Sequence, residues 1–211
     1  MKCFEQSCEF CQEIKDFKAS RVGKIYSDSI PSRIIKETKD FVVLPTIGQI
    51  VPNSLLLLPK KHYETFAEID PTIIRDGISF LEEIERDILP GSNILFEHGA
   101  RRCTGASCGV YHAHIHIVPI KGLIPYKSIV GENAIAETSL ENMLSLLKEQ
   151  PNYILFRNSN KQFYYTTPKF AEPDLFKSQH FRRWLSQNYY PEKEWDWKKY
   201  NSVEKELIES L

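Results

Sequence analysis

Histidine occupies every second position of one short segment, at His112, His114 and His116, with apolar residues between them. Strict alternation is typical of a β-strand, because successive side chains of a strand point to opposite faces of the sheet. The segment from Val110 to Ile120 is therefore predicted to be a strand with one apolar face and three imidazoles on the other. Three of the six histidines fall within five residues, which is too regular for the incidental histidines of a half-polar edge strand.

Two kinds of chemistry fit three imidazoles on one strand face. Neutral histidine nitrogens are common zinc ligands. An imidazole can also act as a nucleophile when a neighbouring group orients its other ring nitrogen. The spacing alone does not separate a metal site from a nucleophile.

Other short runs of β-branched, aromatic or leucine residues predict further strands. They lie at residues 33–37, 40–44, 55–58, 94–96, 153–156 and 162–166. Helices are predicted from their start signals: Asp70 followed by Pro71 begins a long one, Thr138 begins a second with a capping box, and Ser178 begins a third. A further short helix is expected from residue 201.

The composition bounds the class of protein. The 211 residues are 42% hydrophobic and 26% charged, with a net charge of −1. This is a globular composition without the basic field that favours nonspecific nucleic-acid binding. Because the chain shows neither an apolar signal segment nor a run long enough to span a bilayer, we expect a cytoplasmic protein with no membrane partner. An odd number of cysteines, five, favours free or metal-bound thiols over a disulfide framework.

The segment HAHIHIV, residues 112–118, resembles the signature of the histidine triad (HIT) family, in which three histidines alternate with apolar residues. Upstream, VPNSLLLLPKKH, residues 51–62, is similar to the family element that ends in Pro-Lys-x-His. The resemblance covers about residues 1–120 and implies an α+β fold with a HIT-like five-stranded antiparallel sheet and a long helix. We therefore expect a HIT-like catalytic domain over residues 1–125. Residues 126–211 would form a small mixed α/β C-terminal extension packed on the core.

The resemblance also implies a function. Members of the family are nucleotide hydrolases or nucleotidyl transferases that act through a nucleotidyl-histidine intermediate. By position, His114 would be the nucleophile that attacks the α-phosphate, and His116 would support it by holding the phosphate. A neutral imidazole suits this role near pH 7, because its unperturbed pKa is about 6.5.

Two positions depart from the family pattern. Many relatives have Gly-Gln-Ser/Thr-Val before the first histidine, where this chain has Ser107-Cys108-Gly109-Val110. Ser107 and the backbone amides around Gly109 are therefore the expected substitute donors to phosphate. In place of the acidic ribose ligand of many relatives, the chain has Thr46, which could make one hydrogen bond to a ribose hydroxyl.

A Cys-x-x-Cys pair, Cys8 and Cys11, has the spacing that lets two thiolates bind one metal, although one such pair is only half of a zinc site. In zinc-containing members of the family, such a pair combines with the histidine of Pro-Lys-x-His and with the first histidine of the triad. Those positions are His62 and His112 here. The resemblance therefore implies a structural Zn²⁺ site made of Cys8, Cys11, His62 and His112.

The leading hypothesis is a hydrolase of dinucleoside polyphosphates or nucleoside phosphoramidates. The alternatives are a nucleotidyltransferase that uses the same intermediate, and a zinc-stabilised nucleotide-binding protein with little turnover. The C-terminal extension could reinforce a homodimer, since many relatives join two sheets edge to edge, or it could cover such an edge. Its helix after Ser178 is interpreted as packing on the core, with closure of Gln179 or Arg183 over the substrate as the alternative.

Overall fold

An eight-stranded antiparallel sheet forms the centre of the molecule, in the strand order β1-β2-β3-β5-β4-β7-β8-β6. The computed structural model describes residues 7–26, 28, 30–102 and 110–199. The strands in this part of the chain are β1 (Lys36–Glu37), β2 (Phe41–Pro45), β3 (Leu55–Pro59), β4 (Asn93–Ala100), β5 (Ile115–Pro119), β6 (Ile135–Glu137), β7 (Asn152–Arg157) and β8 (Phe163–Thr166). The α-helices are α1 (Glu9–Lys15), α2 (Arg21–Tyr26), α3 (Pro71–Asp87), α4 (Lys127–Val130), α5 (Leu140–Leu147) and α6 (His180–Tyr189). Single 3₁₀ turns lie at Phe66–Glu68, Pro173–Phe176 and Trp197–Lys199.

The strands between residues 36 and 119 are neighbours of one another and form the five-stranded antiparallel sheet expected from the sequence. β7 then pairs with the far side of β4, from Leu95 opposite Arg157 to Ala100 opposite Asn152. The predicted α+β class is therefore confirmed, and the C-terminal extension adds three strands to the same sheet. The domain division at residue 125 stays a prediction, since the sheet continues across it.

The pairing of β7 covers the backbone edge of β4, which would otherwise present N–H and C=O groups to another chain. Side chains reinforce this junction. Glu85 of α3 accepts hydrogen bonds from both terminal nitrogens of Arg157 of β7, and both side chains are less than a tenth exposed. Lys161, in the turn after β7, donates to the same carboxylate at 2.5 Å. The extension is thus tied to the long helix as well as to the sheet.

Helix α3 covers one face of the sheet and begins as the sequence predicts. The carboxylate of Asp70 accepts a hydrogen bond from the main-chain nitrogen of Thr72 at 2.8 Å, and Pro71 occupies the first helical position. The buried stripe of the helix, which includes Leu81 and Ile84, packs into the main core together with Leu57 of β3 and other apolar side chains.

Helix α5 packs on the same face through the predicted stripe of Leu140, Met143, Leu144 and Leu147. The predicted cap at Thr138 is wrong by one residue: Ser139 is the N-cap, and its hydroxyl oxygen accepts a hydrogen bond from the nitrogen of Asn142 at 3.2 Å. Either residue type can cap a helix. The contact with Asn142 shows that Ser139 takes the position here.

Helices α1 and α6 cover separate parts of the opposite face. Phe10 of α1 packs against β2 and β3. Phe181, Trp184 and Leu185 of α6 pack against Phe96 of β4 and its neighbours, which is the packing predicted for this helix. Between α1 and α6 the sheet face is open, and a pocket lies there.

Other elements also begin at residues that differ from the sequence prediction. Helix α6 does not begin with a Ser178 cap: Gln179 is the N-cap residue, in the left-handed region with φ of 59°, and makes no side-chain cap hydrogen bond. Strand β5 begins at Ile115, later than predicted. The main-chain nitrogen of Ala113 donates to the carbonyl oxygen of Tyr63 at 2.7 Å. The backbone before Ile115 therefore pairs with the loop after β3 and not with a neighbouring strand.

The other predicted strands are all present, although β4 extends to Ala100 and β1 is limited to two residues. The helix expected from residue 201 lies outside the described residues. Among the described residues, no helix combines the length and the hydropathy needed to cross a bilayer.

Candidate functional site

Four side chains from three parts of the chain meet beside α1: Cys8, Cys11, His62 and His112. Their two sulfur and two ring nitrogen atoms lie within 4.8 Å of one another. Nδ1 of His112 is 3.4 Å from the Sγ atom of each cysteine, and Nδ1 of His62 is 3.3 Å from Sγ of Cys11. The usual bond lengths of tetrahedral zinc separate sulfur and nitrogen ligands by about 3.5 Å. The cluster could therefore hold a metal ion with little movement, and its members are the four residues named from the sequence.

The local sequence places both thiols on one side of α1. Cys8 is the N-cap residue of the helix and Cys11 lies one turn further on, so their side chains point to the same side. The hydrogen bond with the Cys11 side chain, opposed by burial and assisted by His112, lowers the pKa of Cys8 to about 3. Cys8 is thus a thiolate at neutral pH, which is the form that binds metals.

His112 is fully buried, and a second contact fixes its tautomer. Its Nε2 lies 2.9 Å from the carbonyl oxygen of Pro59. A carbonyl oxygen can only accept, so Nε2 carries the proton and Nδ1 presents its lone pair to the two sulfur atoms. Metal-binding histidines usually have such an outer partner, which holds the ring in place.

A hydrogen bond also fixes the tautomer of His114, but with the proton on the other ring nitrogen. Its Nδ1 donates to the carbonyl oxygen of His112 at 2.6 Å, which leaves the lone pair on Nε2. Burial lowers the pKa of His114 to about 4, so the imidazole is neutral near pH 7. A neutral imidazole with a fixed tautomer can act as a nucleophile or as a base.

His116 follows on β5, and its ring centroid is 5.2 Å from that of His114. The ring of Phe96 stacks on it with a centroid distance of 4.4 Å, and Phe181 stacks on the other side of Phe96 at 3.9 Å. Burial, followed by the nearby His114 and Arg182, holds the pKa of His116 well below its usual range. This imidazole is therefore rigid and neutral.

The pocket over these rings has a volume of about 960 Å³, its open mouth included, and His114 and His116 both line it. Thr46 lines it as well, with its hydroxyl donating to the carbonyl oxygen of Ser54 at 3.3 Å. The structure thus brings three of the predicted catalytic and substrate-binding residues to one pocket. The predicted phosphate donors Ser107 and Gly109 lie outside the described residues.

Sequence reasoning missed an ion pair in the wall of this pocket. Arg33 donates to both carboxylate oxygens of Glu13, at 2.7 and 2.6 Å, and to the carbonyl oxygen of Pro45 at 2.6 Å. Both side chains are almost fully buried. The pair joins α1 to the end of β2, but its members are far apart in sequence and carry no local motif that could have shown the contact.

Residues of the C-terminal extension also form one wall of the pocket. The sequence pointed to only one of them, Gln179. Gln179, His180, Phe181 and Arg182 all line the pocket at the start of α6. Arg183 instead places its guanidinium over the ring of Trp195, 3.8 Å from the centroid. Helix α6 therefore both packs on the core and lines the pocket. Neighbouring residues such as Arg182 and Arg183 make different contacts, the first in the pocket and the second with Trp195.

Arg182 fastens this wall to the other side of the pocket. Its guanidinium donates to the carbonyl oxygen of Gly48 at 2.6 Å and to that of Trp195 at 2.6 Å. Gly48 lies in the turn that follows β2, two residues beyond Thr46. The arginine therefore holds the start of α6 against the rim that carries Thr46.

Comparison with known proteins adds to this geometry. Residues 27–123 match the model of the HIT domain. An uncharacterized HIT-like protein of Methanocaldococcus jannaschii is 29% identical over 100 residues, which are 46% of this chain and 74% of that protein. Among solved structures, a HIT family hydrolase from Clostridium thermocellum is 21% identical with a TM-score of 0.41, covering 57% of this chain and 96% of that one. A zinc-bound histidine triad family protein from Mycobacterium smegmatis is 19% identical with a TM-score of 0.38, covering 56% and 78%.

The matched residues include His62 and the whole triad from His112 to His116, and they end before the extension begins. Cys8 and Cys11 lie ahead of them, on the arm that brings the two thiols to the histidines. Residues 27–123 therefore match the HIT domain, which is the family that the histidine motif of the sequence resembles.

Proposed function

We propose that this chain hydrolyses a phosphoanhydride or phosphoramidate bond at the α-phosphate of a nucleotide derivative, through a nucleotidyl-histidine intermediate on His114. One observation carries the proposal: Nδ1 of His114 is held by the carbonyl oxygen of His112 at 2.6 Å, while the ring borders an open pocket. The HIT family, whose members are nucleotide-binding proteins and hydrolases, supports this reading.

The proposed reaction has two displacement steps at one phosphorus atom. The lone pair on Nε2 of His114 attacks the α-phosphorus, and the bond from phosphorus to the leaving group breaks. The leaving group keeps that electron pair and takes up a proton. Water then attacks the same phosphorus, the P–N bond breaks, its electron pair returns to Nε2, and the water loses a proton. The products are a nucleoside 5′-monophosphate and the protonated leaving group.

The contact with the carbonyl oxygen of His112 assists the first step. When Nε2 bonds to phosphorus, the ring of His114 gains positive charge, and its Nδ1–H becomes a stronger donor. The carbonyl oxygen of His112 is already in place to accept this hydrogen bond. The protein therefore does not have to reorganise when the positive charge develops on the ring. The hydrogen bond therefore stabilises the intermediate more than the free imidazole.

We assign supporting roles to the other residues named from the sequence. His116, held by Phe96, would contact the phosphate beside His114. Thr46 would bind a ribose hydroxyl from the rim of the pocket. Ser107 and the amides around Gly109 would donate to the phosphate oxygens.

We further propose that Cys8, Cys11, His62 and His112 hold one structural zinc ion. Two thiolates and two neutral imidazoles are a common closed zinc site, in which the ion supplies stability and takes no part in the chemistry. Because His112 would bind the ion and its carbonyl oxygen orients His114, the site would keep the nucleophile in position.

The experiment that tests the proposal uses a panel of adenine and guanine dinucleoside polyphosphates and phosphoramidates, with and without added inorganic phosphate. Release of nucleoside monophosphate by the native protein, and its loss in His114→Asn, would support hydrolysis. A product that forms only with added phosphate would support the nucleotidyltransferase alternative. Tight binding without any product would contradict the proposal and favour a nucleotide-binding protein.

A further inference from the structure

Two of the four residues of the candidate metal centre are thiols that can be oxidised reversibly. Cys8 and Cys11 are both reduced and come from α1, ahead of the residues that match the HIT domain. Their side chains are hydrogen-bonded to each other, and both Sγ atoms lie 3.4 Å from Nδ1 of His112. Cys8 is buried, whereas Cys11 is only partly buried. The centre therefore contains a pair of adjacent thiols, one of which a small solute can reach.

The start of α1 allows the two sulfur atoms to join. Residues three apart are neighbours on a helix surface, and Cys8 is the N-cap residue, with an extended main chain at φ of −85° and ψ of 119°. The side chain of Cys8 makes no capping hydrogen bond, so turning it towards Cys11 removes no cap from the helix. Thiolates bind metals, and a disulfide leaves neither sulfur as a thiolate. A disulfide here would therefore remove two of the four ligands at once.

His112 connects this pair to the proposed nucleophile. Its Nδ1 contacts both sulfur atoms, and its carbonyl oxygen accepts the hydrogen bond from Nδ1 of His114 at 2.6 Å. If the sulfur atoms move together, the ring of His112 loses these two contacts and keeps the one with the carbonyl oxygen of Pro59. The carbonyl oxygen of His112 is then held less firmly, and His114 loses part of its orientation.

We propose that Cys8 and Cys11 form a redox switch, in which a peroxide joins them in a disulfide, opens the metal centre and slows the reaction at His114. This inference rests on the proposed function of His114 and on the proposed zinc site. The residues that can be oxidised lie outside the matched domain, while the residue that they control lies inside it. The arm would thus add regulation to the HIT domain as well as two ligands.

The oxidation has two steps. The electron pair of the Cys11 thiolate attacks one oxygen of the peroxide, the O–O bond breaks, and the hydroxide that leaves takes up a proton to give water. The thiolate of Cys8 then attacks the sulfur of the resulting sulfenic acid, the S–O bond breaks, and a second hydroxide leaves and is protonated. Two electrons pass from the thiol pair to the peroxide. Two equivalents of a small thiol return them by thiol–disulfide exchange.

The test treats the zinc-loaded native protein with a small excess of hydrogen peroxide, which catalase then removes. Released zinc is measured with a coloured chelator, the disulfide by mass spectrometry of the peptide that contains both cysteines, and turnover with the substrate of the reduced protein. We expect about one zinc ion released per chain as the disulfide forms. We also expect kcat to fall roughly 5- to 10-fold, the effect of one hydrogen bond. Dithiothreitol with zinc should restore both.

Cys11→His is the matched control, because it keeps a metal ligand but cannot form the disulfide. It should keep its zinc and its kcat after peroxide. A second variant, Cys3→Ser/Cys103→Ser/Cys108→Ser, leaves Cys8 and Cys11 as the only cysteines of the chain and should respond as the native protein does.

Unchanged turnover by protein that carries the disulfide would overturn the switch, as would equal inactivation of Cys11→His or no response in the triple variant. In each case the reduced native protein would still turn over its substrate. Absence of turnover in the reduced protein would instead overturn the proposed function of His114. The zinc and disulfide measurements would then still decide whether the thiol pair opens the metal centre.

Discussion

The imidazole of His114 and the main chain of His112 are joined by a hydrogen bond, with 2.6 Å between Nδ1 and the carbonyl oxygen. The ring of His112 is held in turn by Pro59 at Nε2 and by Cys8 and Cys11 at Nδ1. One residue therefore connects the candidate metal centre to the proposed nucleophile. Any change that loosens His112 should also misplace the carbonyl oxygen that orients His114.

The first prediction concerns metal content. We expect about one zinc ion per chain, lost in Cys8→Ser and in His112→Ala, because a site of this kind binds metal through all four ligands. Structural zinc binding is coupled to folding, so the melting temperature should fall by roughly 10 °C or more. Elemental analysis and melting curves measure both effects, with Cys3→Ser as the control that should keep the metal. A native protein without metal and with an unchanged melting temperature after chelation would contradict the site.

The second prediction concerns the tie between the extension and the long helix. Arg157→Leu removes the main partner of Glu85, whose side chain is only 8% exposed. Breaking a buried pair costs about 3–5 kcal/mol of unfolding free energy where the remaining charge has no other partner. Because Lys161 still contacts the carboxylate of Glu85, we expect the lower end of this range, about 3 kcal/mol. Urea denaturation gives this value, and Arg86→Ala, which removes an exposed ion pair on the same helix, should leave the midpoint unchanged. A similar small effect for both variants would show that the junction depends on strand pairing alone.

The third prediction is a pH dependence that comes from Glu97. Its carboxylate accepts hydrogen bonds from the hydroxyl of Tyr153 at 2.6 Å and the nitrogen of Phe66 at 2.9 Å. Burial nevertheless raises its pKa from 4.5 to about 8. Between these values the folded state holds a proton that the unfolded state has lost. The stability that this proton contributes is complete below pH 4.5 and is lost as the pH rises through about 8.

The glutamine side chain in the variant Glu97→Gln cannot titrate. The free energy of unfolding of this variant should therefore not fall between pH 4.5 and about 8. Between pH 4.5 and 7.5 we expect the variant to gain roughly 3–4 kcal/mol relative to the native protein. Urea denaturation at several pH values measures the difference, and Glu82→Gln on the exposed side of α3 is the control. Parallel curves for Glu97→Gln and the native protein would contradict the raised pKa.

Features with a local signal could be predicted from the sequence. The alternation around His114 predicted a strand with three histidines on one face, but β5 begins at Ile115 and carries only His116 of the three. Asp70 with Pro71 indicated the start of α3, which the structure has there. The grouping of Cys8 and Cys11 with the two histidines came from the family resemblance, since spacing alone showed only half of a site. Those four residues do lie together.

Features that depend on distant contacts could not be predicted. The pairing of β4 with β7 joins residues more than fifty positions apart, and no local pattern selects a particular strand edge. The same holds for Arg182, which reaches Gly48 across the pocket. The sequence pattern of α6 is that of an amphipathic helix whose apolar stripe explains its packing. Apart from Phe181, which belongs to the stripe, its residues that line the pocket are ordinary polar neighbours of the stripe. Only the docked position of the helix shows that it belongs to the site.

The central claim is that His114 carries the nucleotide covalently. The most direct measurement is rapid mixing of the native protein with an adenine nucleotide substrate, a quench under conditions that preserve P–N bonds, and tandem mass spectrometry of the peptide that contains residues 112–118. We predict an added mass of adenylate on His114, absent in His114→Asn, and loss of turnover of at least about 1000-fold in that variant. Full turnover by His114→Asn, or an adduct located on His116 instead, would contradict the account.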